Sequence, residues 1–154
     1  MLGSYTFEGT YIPRSSEPGK DGPIGEKELL ENNPKRIELL KKVTGWSDFQ
    51  KGSLNLLVAA SVVKILGHLR ELYFEDASLI RYPKDETNIA EMRGGYLYYN
   101  GEMISSDDNQ GILVRRAKEK PLAYIVEVYA EVMLKEKFRL NRNDPVMVRV
   151  WDAD

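Results

Sequence analysis

Hydrophobic and polar positions alternate from the start of the chain. In SYTFEGTYI the aromatic residues Tyr5, Phe7 and Tyr11 recur with period two, which predicts a strand interrupted at Gly9. The alternation is lost in PRSSEPGKDGPIGEKE, which is thick with Pro, Gly, Ser and charge and predicts a long loop at about residues 13–33. In NNPKRIELLKKVTGW the period lengthens to that of a helix. Ile37, Leu40 and Val43, joined by Leu39, form an apolar stripe. Asn33 can cap this helix, Pro34 suits its first turn and Gly45 stops it.

The run LVAASVVKILGHLRELYF has no clear period. Its Val-rich first half suits a strand, and ILGHLRELYF one or two helical turns. ASLIRYPK predicts a weak strand, and GGYLYYNGEMISS a hairpin with Asn100-Gly101 as its type I′ turn pair. DDNQ predicts a second turn leading into the strand GILVRRA. AYIVEVYAEV predicts another strand, MLKEKFRL a short helical segment, NRNDP a turn and VMVRVW a last strand. Strands dominate and helices do not alternate with them. A mainly β fold follows, a small barrel with one clear helix and short helical decorations rather than a parallel sheet.

Composition changes this picture only by exclusion. At 154 residues the chain is expected to form a single domain over 1–154 with one core. A net charge of −2 leaves no basic footprint, so a nucleic-acid partner is not expected. The chain has no cysteine, which removes disulfides and thiolate metal sites and suits a reducing compartment. MLGSYTFEG has neither the basic start nor the apolar core of a signal peptide, and Lys64 interrupts the longest apolar run, LNLLVAASVVKIL. A cytoplasmic protein without a membrane partner is therefore expected. His68 is the only histidine, flanked by Gly67 and Leu69, and no nucleophile-elbow pattern accompanies it; a structural or exposed role fits it better than catalysis or zinc binding. DGPIG and EPGK lack the spacing of a phosphate-binding loop. KRIELLKK has the character of a solvated helix face. In RRAKEK, the cations Arg115, Arg116 and Lys118 could neutralise a phosphate.

Two polar placements carry candidate chemistry. In KGSLNL, Ser53 and Asn55 lie two apart and so share one face of an extended chain. They are either a strand edge bonding its own backbone or a pair of oxygen ligands. Glu127 stands between Val126 and Val128, either on the solvent face of an alternating strand or against a ligand.

Read together, GSLNL and VEVYAEVMLKEKFRLNRNDPVMVRV resemble the archaeal CTP-dependent riboflavin kinases. That family carries G-T-L-N-[LV] and a C-terminal block I-E-[IV]-x-A-x-x-x-L-[RK]-x-x-[FL]-x-L-x-[DN]-G-D-x-V. RGGYLYY…GILVRRA is similar to its run F-G-G-V-x-x-x-P…G-x-x-V-x-P-x-[KR]. The resemblance implies a six-stranded cradle-loop barrel, of the riboflavin synthase-like kind, in which CTP phosphorylates the riboflavin 5′-hydroxyl to give FMN with Mg²⁺. It implies Ser53 and Asn55 as the metal-holding positions, Glu127 as a flavin contact, and Met133, Leu134 and Lys135 along the nucleotide. The family's glycine loop, roughly G-x-G-x-G-x-[YF], falls on YTFEGTYI, which places Gly9, Thr10 and Tyr11 at the nucleotide. Tyr5 and Phe7 stand where two of its glycines belong, the family's flavin-contacting hydroxyl position falls near Glu119, which carries a carboxylate instead, and the 13–33 loop is an insertion. Two functions are thus expected to compete: Mg-assisted phosphoryl transfer from CTP to riboflavin, and a flavin- or nucleotide-binding barrel without transfer, acting as a sensor or partner protein. The related DNA-binding barrels supply a third class, which the near-neutral charge disfavours.

Overall fold

The computed structural model describes residues 3–13, 34–47, 54–72, 96–106, 108–117 and 124–154. Six strands form a closed antiparallel barrel: β1 Ser4–Ile12, β2 Leu54–Leu57, β3 Tyr96–Ile104, β4 Gln110–Ala117, β5 Ile125–Tyr129 and β6 Pro145–Trp151. Around the barrel the order is β1-β2-β5-β4-β3-β6, and β6 pairs back onto β1. Three helices accompany them: α1 Pro34–Thr44, α2 Ala60–Leu66 and α3 Leu134–Lys137.

Period-two alternation turns one set of side chains inward. Phe7 and Tyr11 of β1, Leu54 and Leu56 of β2, Val126 and Val128 of β5, and Val146, Val148 and Val150 of β6 pack into one core with Val114, Tyr99 and Met103. Val62 and Leu66, four apart on α2, and Leu134 of α3 join the same core. Each such residue contributes about 1.5–3 kcal/mol when fully buried, so this interior is the main source of cohesion.

Three expectations are corrected. β1 runs unbroken through Gly9. A Cβ there would lie 2.9 Å from Leu56 Cβ and 3.3 Å from Val58 Cγ1, so this glycine lets β2 approach rather than ending the strand. Asn100-Gly101 is not a turn. Both residues lie inside β3, where Asn100 faces Leu113 and Trp151 and Gly101 faces Ile112 and Val150. The β3–β4 turn comes later, before Gln110, where Ser105 N–H donates to Asn109 Oδ1 at 3.3 Å. Finally, the strand after Ser53 is only Leu54–Leu57, and the Val-rich ASVVKIL forms α2. The 13–33 loop, the Asn33 cap and the ASLIRYPK strand lie outside the described residues.

The helix over Pro34–Thr44 ends as its sequence predicts. Gly45 takes φ 76° and its N–H donates to Lys41 C=O at 2.8 Å, an arrangement that favours glycine. α3 ends in the same manner with a less suitable residue. Arg139 N–H donates to Glu136 C=O and Leu140 N–H to Lys135 C=O, a Schellman motif whose left-handed position, φ 50°, is held by exposed Arg139. Arg139→Gly is therefore expected to stabilise the fold by about 1 kcal/mol, because it relieves the cost of a side chain in left-handed backbone. Denaturant unfolding checks this, and an unchanged midpoint would show that no strain is relieved.

At the end where β1 begins and β6 finishes, Asp152 acts as a clamp. Its carboxylate accepts from Arg70 N–H and Gly3 N–H, both at 2.7 Å, and the Arg70 side chain donates to Ala153 C=O at 2.7 Å. The Arg70 and Gly3 backbone N–H groups hold the Asp152 carboxyl below the usual carboxylate range. A depressed folded pKa stabilises above the unfolded pKa, and the contribution is lost as pH falls through the folded one. The melting temperature of Asp152→Ala should accordingly lie below that of the parent at neutral pH, with the gap closing on acidification. A gap independent of pH would rule the charged clamp out.

Candidate functional site

The outer wall of the barrel carries a row of paired residues that sequence order alone does not bring together. Ile12 faces Asn55, Asn55 faces Glu127, Glu127 faces Arg115 and Arg115 faces Tyr98, across five neighbouring strands. Outward-facing strand positions are ordinarily wet, but this stretch is covered. Ile12, Asn55, Arg115 and Tyr98 are all buried, as are Leu113 and Tyr129 on the same face. Asn55 and Arg115 are the buried polar side chains among the described residues.

Charge and hydrogen bonds organise the centre of this row. Arg115, 1% exposed, pairs with Glu127 Oε1, and the Tyr129 hydroxyl donates to Glu127 Oε2 at 2.7 Å. The Arg115 guanidinium lies 5.8 Å from the centre of the Tyr129 ring, so the three side chains close a triangle. Glu127 and Tyr129 sit two apart on β5 and therefore on one face. That spacing is readable in IVEVY. The contribution of Arg115 is not, because it depends on the β4–β5 register.

The residues expected at the site do not all come together. Asn55 and Glu127 are brought side by side on the outer wall, and the alternation also turns Thr10 to that face, opposite Leu57. Gly9, Tyr11 and Leu134 belong to the interior: Tyr11 and Leu134 are buried in the core and Gly9 lies against Leu56. The Tyr11 backbone is paired with the turn before β6, its N–H donating to Asp144 C=O and its C=O accepting from Asn143 N–H. Met133 and Lys135 flank Leu134 and are exposed at the end of the barrel where β5 leaves. Ser53, Glu119 and Lys118 lie outside the described residues.

Arg116, expected beside Arg115 as a phosphate neutraliser, turns the opposite way. Its Nε donates to the Tyr99 hydroxyl at 3.0 Å. Burial pushes the Tyr99 phenol up, while the Arg116 charge and hydrogen bond pull it part of the way back. His68 is exposed, its N–H donating to Ile65 C=O at 2.9 Å after α2.

Among the described residues no three His, Asp or Glu side chains converge on a metal position. Magnesium does not require such a cage. It takes one or two protein oxygens, substrate phosphates and water. The Asn55 amide, buried beside the Glu127 carboxylate, is one hard oxygen of a type magnesium accepts. No described helix is long and apolar enough to cross a membrane. No protein-family model matches the chain, and no curated protein matches it either.

Proposed function

We propose that the chain is a cytoplasmic CTP-dependent riboflavin kinase-like phosphotransferase, moving a phosphoryl group from CTP to the riboflavin 5′-hydroxyl. The observation that carries this reading is the cross-strand pairing of Asn55 with Glu127. The resemblance in GSLNL assigns the first to the metal, and that in VEVYAEV assigns the second to the flavin. Both assignments come from one resemblance, and their falling on adjacent positions of one barrel wall supports a common site. Phosphoryl transfer needs positioning and charge neutralisation more than covalent chemistry from the protein. Asn55, with Ser53, would hold magnesium, which supplies neutralisation of the nucleotide phosphates. Glu127 orients the acceptor, and the exposed cation Lys135 supports the nucleotide.

A second reading, a barrel that binds flavin or nucleotide without transfer, is favoured by the region of the missing glycines. Gly9 is packed onto Leu56, and the Tyr11 N–H and C=O are both bonded to the chain before β6, so this stretch is a strand rather than an open phosphate loop.

One experiment separates the two. The purified protein is incubated with riboflavin, Mg²⁺ and, in turn, CTP, ATP, GTP and UTP, and FMN is followed by chromatography. FMN is expected with CTP. Loss of an outer-shell partner of a metal already costs about 10- to 100-fold, so Asn55→Ala should reduce turnover at least that much. Riboflavin or CTP binding by calorimetry without FMN would establish the second reading, and neither binding nor turnover would remove both.

A further inference from the structure

We infer that Arg115 and Tyr129 are positioning residues that hold the Glu127 carboxylate for a polyhydroxylated acceptor, an assignment that rests on the phosphoryl-transfer reading above. Neither residue was marked by the motifs that singled out Glu127. Each holds a different oxygen of the same carboxylate, Arg115 on Oε1 and Tyr129 on Oε2. Two donors fix both the plane and the direction of a group that has about four acceptor sites in all.

The surroundings argue that orientation, rather than stability, is what the arrangement supplies. Arg115 is 1% exposed and sits in a row with buried Tyr98 and Leu113, on a face where apolar residues would pack at no charge-burial cost. A buried ion pair is on average no better for stability than apolar residues of the same volume. What an ion pair does provide is fixed geometry, and the fork of Arg115 is better suited to this than a lysine. The stack of the guanidinium on the Tyr129 ring ties the two donors to each other. Asn55 borders Glu127 on its other side, so a carboxylate fixed by β4 and β5 is placed against the side chain assigned to the metal. An acceptor hydroxyl held by Glu127 would then meet the phosphoryl group at the β2–β5 boundary.

Tyr129→Phe removes one donor and keeps the ring under the guanidinium. In the riboflavin and CTP assay the loosened carboxylate should raise the riboflavin KM about tenfold and leave the CTP KM nearly unchanged, while the melting temperature falls by the worth of one hydrogen bond to a charged group. Added to Glu127→Gln, it should raise the riboflavin KM no further, because both changes act through one carboxylate. Arg115→Lys, which keeps the charge and loses the fork, should move the riboflavin KM in the same direction, with riboflavin affinity by calorimetry as a parallel readout. Equal changes in both KM values, full additivity with Glu127→Gln, or no change would overturn the assignment while leaving the kinase reading in place. If the unsubstituted protein neither binds riboflavin nor forms FMN, the kinase reading fails and the assignment falls with it.

Discussion

Gly101→Ala is expected to destabilise the protein by about 3 kcal/mol, at the upper end of what overpacking a core costs. A Cβ at Gly101 would lie 2.6 Å from the Arg149 carbonyl oxygen and 3.1 Å from Val150 Cγ1. The nearer neighbour is backbone, so no rotamer change relieves the contact. β6 cannot retreat either, because its other edge is paired to β1 along the whole strand. The methyl group must therefore break part of the β3–β6 ladder or force the barrel open. Gly111→Ala provides the control on the adjoining strand β4. Nothing lies within 4 Å of its added Cβ, and its expected effect is within about 0.5 kcal/mol. Equilibrium unfolding in urea compares the two. Equal midpoints would mean that β3 and β6 can part enough to admit the methyl group.

The second large effect concerns the ion pair on the outer wall. Glu127→Ala removes the carboxylate facing Arg115 and leaves the guanidinium at 1% exposure without that counter-charge. Truncating one partner of a buried pair costs about 3–5 kcal/mol, and a loss near 3 kcal/mol is expected here because Glu127 itself retains some access to water. The diagnostic comparison is the double replacement Arg115→Met with Glu127→Leu. It fills the same space without charge and should recover most of the loss. A cost below about 1 kcal/mol for Glu127→Ala would place the pair with ordinary surface salt bridges and remove the energetic argument for its being fixed.

The strands that were legible in the sequence are those whose inward-facing residues follow alternation. PVMVRVW and GILVRRA carry their inner residues at every second position, and β6 and β4 form there. Asn-Gly at 100–101 misled for a physical reason. The pair is a strong local hairpin signal, yet the same missing Cβ also permits close backbone approach, and in β3 the tertiary requirement prevailed. The Val-rich ASVVKIL misled in another way. β-branched preference is weak, and Val62 with Leu66 satisfies the core equally well from one helical face.

The candidate site was half legible. Asn55 between Leu54 and Leu56, and Glu127 between Val126 and Val128, could be read as polar positions of alternating strands. Their juxtaposition could not, because β2 pairs with β5 across two intervening strands of the chain order. Arg115 was expected only as one of three cations, with Arg116 and Lys118, that could neutralise a phosphate. RRA gives two adjacent cations no distinction, and only the pleat sends Arg115 to Glu127 and Arg116 to Tyr99. Asn143 is a smaller case. It stands where the resembling motif has glycine, and at φ 71° it adopts the backbone that, glycine apart, asparagine tolerates best.

The closure of β6 onto β1 also governs how quickly the fold can be reached. Ser4 finds its partner in Trp151, so the seam joins stretches from opposite extremes of the described chain. Until that seam forms, every earlier arrangement is an open sheet with two unpaired borders. Loop-closure entropy must be lost before the last ladder returns any energy, which puts such topologies toward the millisecond-to-second end of folding times. During that interval the valines of β6 and the aromatics of β1 are the surfaces most open to pairing with another copy, so yield on refolding should fall as protein concentration rises.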